Sequence, residues 1–301
     1  MKKLFVLDGS WYVFRAYYGL PELHDADGHN VNAIFWFFRM LFKLRQDKPD
    51  YFVIARDAPS KTVRKEMDEN YKANRTKMPD EFKWQMWMIK ELVWQVWIPA
   101  EEIPWYEADD IIWTIAELRT HQEWRDHLWV QIVSSDKDMK QLVKSWEVTM
   151  FDAMKNITTT QKSFEEEYGF PPHLMIEYLA IVWDAADNIK WVPWIWKVGA
   201  SKLIQKRWTM EDIYANIDHI TWSLQKKLIA WREEAFHSKK LTEIMTVPWF
   251  EKKDVEAWLC QPDFDLIKKT LSEWFWFHSL DRIIDDTKKQ WQCGDQLSLF
   301  G

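Results

Sequence analysis

Leu4-Phe5-Val6-Leu7-Asp8 is the stretch on which the fold turns. Four consecutive apolar residues ending in a carboxylate suit a strand buried on both faces, whose last residue emerges from the core. The arrangement recurs twice. Tyr51-Phe52-Val53-Ile54-Ala55 is followed by Asp57, and Val130-Gln131-Ile132-Val133 leads to Asp136. Between these runs, residues 32–46 and 108–118 carry apolar side chains at helical spacing. Strands alternating with helices predict an α/β domain whose parallel sheet is covered on both faces. Such sheets bind ligands at the carboxyl ends of their strands, where three aspartates are expected.

From Pro171 onward the pattern turns helical. Pro171 and Pro172 suit a helix start leading into 173–183, and 224–235 and 254–258 also read as helix. The chain therefore divides into a sheet domain over 1–170, a helical region over 171–285 and a tail over 286–301. Within the first domain, 59–79 has little apolar periodicity and carries Lys61, Arg64, Lys65, Lys72, Arg75 and Lys77 around Tyr71. It reads as a mobile basic segment or a lightly packed helix pair.

Composition narrows the class. The 301 residues are 47% hydrophobic and 29% charged, a globular profile, and no apolar run reaches the 18 or so residues of a membrane span. The opening Met1-Lys2-Lys3 resembles a signal peptide, but Asp8 interrupts the apolar part too early for an h-region. Two cysteines, Cys260 and Cys293, exclude a disulfide framework or a cysteine zinc site and fit a reducing cytoplasm. The net charge of −7 is unusual for a partner of nucleic acid. Setting aside the acids assigned below to a metal cluster turns the balance slightly positive.

Those acids come at informative spacings. Glu107 and Asp110 in Tyr106-Glu107-Ala108-Asp109-Asp110 share a helical face at i,i+3. Asp136 and Asp138 lie two apart at a strand end, and Asp184 and Asp187 repeat the i,i+3 spacing. Any one cluster is more often a helix cap than a ligand set. Five clusters beyond strand ends repel one another unless cations join them, and all-oxygen ligands suit Mg²⁺ or Mn²⁺. Two such ions hydrolyse phosphodiesters.

Asp8-Gly9-Ser10, Arg15-Ala16-Tyr17-Tyr18, Tyr71-Lys72-Ala73-Asn74-Arg75, Tyr106-Glu107-Ala108-Asp109-Asp110, Ser135-Asp136-Lys137-Asp138 and Asp184-Ala185-Ala186-Asp187-Asn188-Ile189 together resemble the 5′→3′ exonuclease and flap endonuclease family, in the form of the nuclease domain of bacterial DNA polymerase I. The resemblance covers about Met1 to Met245 and implies a PIN-like nuclease domain followed by a helix-hairpin-helix region. With no polymerase part following, the chain is expected to be a stand-alone version. It also implies two metal groups, Asp8, Asp57, Glu107 and Asp109 in one and Asp110, Asp136, Asp138, Asp184 and Asp187 in the other. The basic segment, near 59–90, corresponds to the family's arch over a 5′ single strand. Lys72 and Arg75 would then steer the scissile phosphate, with Arg15, Arg64 and Tyr71 on DNA.

Residues 188–203 resemble the family's hairpin, which grips duplex phosphates through backbone N–H groups; Gly199, Ser201 and Lys202 match, and a K⁺ is implied there. Trp191, Trp194 and Trp196 occupy positions where the family has glycine, as do Trp36, Trp97, Trp105, Trp113 and Trp183. The chain holds 23 tryptophans against 7 glycines. At its end, Gln296, Leu297, Leu299 and Phe300 are similar to the short motif that docks on the bacterial sliding clamp, carried on an otherwise disordered tail. The expected function is a structure-specific 5′ nuclease, located in a bacterial cytoplasm at the nucleoid, removing flaps and RNA primers. The alternative is a catalytically impaired or designed DNA-binding or clamp-tethered protein that keeps the fold.

Overall fold

The computed structural model describes residues 1–120, 128–182, 188, 195, 197–206, 208–248, 250, 255–259, 263–275 and 277–298. Six strands form one sheet: β1 (Lys3–Asp8), β2 (Tyr51–Arg56), β3 (Ala100–Glu102), β4 (Trp129–Val133), β5 (Val148–Asp152) and β6 (Ile157–Thr159). Their order is β3-β2-β1-β4-β5-β6, parallel throughout except for the antiparallel β5–β6 pair. The chain runs outward from β1 to β3 and then returns to the other side of β1. That reversal opens a crevice at the carboxyl ends of β1 and β4.

The apolar runs behave as strands buried on both faces. Phe5, Leu7, Phe52 and Ile54 point into one core, and Leu4, Val6, Tyr51, Val53 and Ala55 into the other. The first core is closed by α1 (Gly9–Gly19), α2 (Asn32–Arg45) and α4 (Asp80–Gln95), the second by α5 (Ala108–Thr120). The short α3 (Val63–Met67) and a run of turns over 69–74 make up the basic segment. Gly9 begins α1 hard against β2. A Cβ there would sit 2.5 Å from Ile54 Cγ2 and 3.1 Å from the Ala55 carbonyl, so only glycine lets the helix leave Asp8 at this angle.

A third core joins α6 (Gln161–Tyr168), α7 (Met175–Ile181), α8 (Lys197–Ile204), α9 (Met210–Ala215), α10 (Trp222–Ala230) and α11 (Arg232–Thr242). Buried Glu177 ties three of these helices together, accepting from Met210 N at 3.1 Å and pairing with Lys239 at 3.0 Å. The helix expected over 173–183 is a 3₁₀ turn, Pro172–Leu174, followed by α7. The single helix expected over 224–235 is broken at Trp231 into α10 and α11, and 254–258 is a 3₁₀ turn over Val255–Trp258.

Beyond α11 the chain returns to the cores of the sheet domain. Val247, Phe250, Val255 and Trp258 pack back on the second sheet core. Helix α12 (Phe264–Phe275) and the start of α13 (His278–Ser298) complete the first, through Phe264, Ile267, Leu271, Phe275, Phe277, Leu280 and Ile284. The disordered tail expected from its polar composition is replaced by α13, because Leu280, Ile284 and Thr287 recur on one buried face. Among the described residues no helix is long and apolar enough to cross a membrane.

Candidate metal and nucleic-acid site

Four of the predicted acids, Asp8, Asp57, Asp136 and Asp138, stand at or just beyond strand ends. Asp8 closes β1 and caps α1, its Oδ1 accepting from Trp11 N at 3.0 Å. Ser134, just past β4, donates to Asp8 Oδ2 at 2.8 Å and accepts from Asp136 N at 3.0 Å, so one hydroxyl locks the two strand ends. Asp57 follows β2; its N–H donates to Ser10 Oγ at 2.8 Å and its Oδ1 accepts from Ala108 N at the start of α5. Asp136 caps the turn that carries Asp138, accepting from the Asp138 N–H at 3.0 Å. Ser10 and Ser134 were not singled out by sequence reasoning, although each sits beside a quoted acid.

The electrostatics show what this gathering costs. Burial, reinforced by the charges of Asp136 and Asp57, pushes the Asp8 carboxyl up to about 7 against the hydrogen bonds from Trp11 and Ser134. Asp109 is raised well above the ordinary carboxylate value by burial and by the charges of Asp136 and Asp8. These carboxylates resist carrying charge together, and a divalent cation relieves that resistance. Among the described residues, no three of the predicted acids bring ligand atoms within 4.8 Å of one another. A spread, all-oxygen set of this kind fits hydrated hard cations better than one tightly caged ion. The group that does close to 4.8 Å, Asp25, Asp27 and His29, lies in a loop where Asp25 accepts the Asp27 and His29 N–H groups of its own turn.

Glu107 behaves differently. Burial would raise its carboxyl, but the charges of Lys72 and Arg64 outweigh that and hold it below the usual value. Lys72 Nζ is 3.0 Å from Oε1, and Tyr71 Oη donates to Oε2 at 3.0 Å. Lys72 and Tyr71 thus join the basic segment to Glu107. Tyr71 is buried, with its ring packed beside Leu241, and in this arrangement it offers no face for a base. Arg75 and Arg15 are exposed.

Arg64, expected on DNA, is 3% exposed and lies in the interior with Asp110. Asp110, expected among the ligands, is fully buried on that guanidinium. Gly199, Ser201 and Lys202 lie on α8, with Lys202 exposed. Asn188 reaches back to the basic segment, donating to the Asn70 carbonyl at 2.8 Å. Asp184, Asp187, Trp183, Trp191, Trp194 and Trp196 lie outside the described residues. So do Leu299 and Phe300, while Gln296 and Leu297 are described only as backbone of α13.

Two of the tryptophans expected at family glycine positions stand in left-handed backbone, Trp97 at φ 58° and Trp105 at φ 76°. Trp97 follows the C-cap of α4, where its N–H donates to the Trp94 carbonyl and the Ile98 N–H to the Val93 carbonyl. That is the Schellman closure in which glycine is the usual residue. Trp105 precedes Glu107 and pins the basic segment, its N–H donating to Ser60 Oγ and its carbonyl accepting from Val63 N.

The chain matches two family profiles in succession. Residues 3–169 match the 5′-3′ exonuclease N-terminal resolvase-like domain, and 170–262 the 5′-3′ exonuclease C-terminal SAM fold. It is 33% identical over 301 residues to a 5′-3′ exonuclease of Aquifex aeolicus, covering 100% of both chains. It is also 38% identical over 249 residues to DNA polymerase I of Bacillus caldotenax, matching 81% of this chain and only 28% of the polymerase. Among solved structures, T5 5′-exonuclease with bound divalent zinc ions aligns with a TM-score of 0.64 at 18% identity, over 96% of this chain and 99% of that one. The catalytic core of Rad2 in complex with a DNA substrate aligns with a TM-score of 0.62 at 16% identity, over 95% and 92%. At such identity these two structures speak for the fold. On the profiles and the full-length relative, this chain belongs to the 5′-3′ exonuclease family of nucleases.

Proposed function

We propose that the chain is a structure-specific nuclease that hydrolyses DNA near 5′ ends, flaps and nicks, using divalent Mg²⁺ or Mn²⁺. The observation that carries this reading is the crevice at the ends of β1 and β4, acidic on its floor and joined to a basic segment through the Lys72–Glu107 contact. Asp8, Asp57, Glu107, Asp109, Asp136 and Asp138 would hold the ions, with Asp184 and Asp187 added from the following segment. Bound divalent ions would polarise the phosphodiester and activate water. The chain's own contribution is positional. Ser134 and Ser10 fix the strand-end acids, while Lys72 and Arg75 steer the phosphate and offset the charge that develops on it.

Exposed Lys202, with Ser201 and Gly199 on α8, supports a duplex grip, where a K⁺ would also bind. Arg15, exposed on α1, supports a contact to the strand entering it. The Gln296, Leu297, Leu299 and Phe300 motif supports a sliding-clamp contact. The substrate preference is tested with a duplex bearing a labelled 5′ flap and its mirror bearing a 3′ flap, each with Mn²⁺. Cutting at the 5′-flap junction is expected; equal cutting of both substrates would overturn the structure-specific reading.

A further inference from the structure

Arg64 and Asp110 satisfy each other so fully that neither is left to act at the surface. Arg64 has five N–H donors and five acceptors: Nε donates to the Leu241 carbonyl at 3.0 Å. Nη1 donates to Glu107 Oε2 at 3.1 Å and Asp110 Oδ2 at 2.9 Å. Nη2 donates to Asp110 Oδ1 at 2.7 Å and the Glu243 carbonyl at 2.8 Å. Asp110 is equally complete. Its Oδ1 also accepts from Met245 N at 2.8 Å and its Oδ2 from Glu107 N at 3.1 Å, two donors on each oxygen.

A carboxylate with two donors on each oxygen has no lone pair aimed at a cation. A guanidinium that is 3% exposed has no N–H for a phosphate. What the pair does reach is informative. Its contacts gather α3, the first turn of α5 and the end of α11 with the loop after it. Through Glu107 they reach Lys72, which pairs with the same carboxylate.

We propose that Arg64 is a positioning residue that sets Glu107 and, through it, Lys72, and that Asp110 is its scaffold partner and not a metal ligand. The proposal rests on the nuclease reading only for its kinetic arm. A fork-shaped guanidinium is required, because lysine has no planar set of donors able to meet two carboxylates and two carbonyls at once. Losing one partner of such a buried pair strands the other charge, so single variants report strain as well as position.

The experiment titrates Mn²⁺ by calorimetry into the full chain and its variants, then measures flap cleavage. D110N is expected to bind the wild-type number of ions with affinity within about threefold, whereas D136N loses binding. If D110N loses an ion as D136N does, Asp110 is a ligand and the proposal falls. R64K is expected to lower kcat at least tenfold with KM for DNA within about twofold. A tenfold rise in KM with kcat retained would make Arg64 a DNA contact and overturn it. Should a single variant not fold, R64M/D110L removes both buried charges together: wild-type Mn²⁺ stoichiometry supports the scaffold role, and a lost ion contradicts it. A wild-type protein that binds Mn²⁺ but cuts no DNA would count against the nuclease reading and leave the calorimetric arm standing.

Discussion

Lys72 Nζ stands 3.0 Å from Glu107 Oε1, joining the basic turn to the rim of the acidic crevice. The lysine sits in strained backbone, since its φ of 56° lies in the left-handed region. Positive charge is therefore held at the edge of a crevice whose floor is negative, which is where a scissile phosphate would need it.

Lys72→Ala should leave the fold and Mn²⁺ binding in place, because Glu107 keeps Arg64 and Tyr71 as partners. The rate should suffer instead. Removing a preorganised group that stabilises developing charge costs roughly 10²–10³ in kcat. Single-turnover cleavage with saturating enzyme checks this, and an unchanged rate would take Lys72 out of the mechanism.

Trp97→Gly and Trp105→Gly should each stabilise the protein. Left-handed backbone costs an L-residue about 1–2 kcal/mol that glycine does not incur, and Trp97 is largely and Trp105 half exposed, so limited packing is lost. Urea denaturation should show a gain of about 1 kcal/mol for each. A loss of stability at Trp97 would mean that the indole contributes contacts outweighing the strain.

Stability of the metal-free protein should fall as pH rises from 5 to 8. The folded-state value of Asp8, about 7, exceeds the unfolded value of 3.8, so the native state binds more protons across that interval. The stabilisation is complete below the unfolded value and is lost as pH climbs through the folded one; Asp109 shifts in the same direction. Thermal melts in EDTA should therefore drop by roughly 5 °C or more over that range. Added Mn²⁺ should flatten the profile, whereas a flat profile in EDTA would argue that the acids do not repel one another.

The central strands were legible because β1 and β2 are apolar on both faces and β4 departs from this only at Gln131, and the acids at or beyond their ends marked the crevice before any geometry was known. The edge strands were not. Ala100–Glu102 and Ile157–Thr159 are short, and in sequence they look like loop. Helix α12 shows Phe264, Ile267, Leu271 and Phe275 at helical spacing, yet nothing local reveals that it returns to the sheet core. The burial of Arg64 and Asp110 was hidden for a related reason. Sequence spacing shows which acids share a face of α5, but the donors that claim Asp110 come from Arg64 and Met245, far away in the chain.

The most direct test of the account is cleavage of a labelled 5′-flap duplex by the wild-type chain with Mn²⁺, set beside the same reaction in EDTA and with Asp136→Asn. The account predicts cutting at the junction with Mn²⁺, none in EDTA, and a folded but inactive Asp136→Asn protein. Cutting that survives EDTA, or an Asp136→Asn variant as active as wild type, would contradict it.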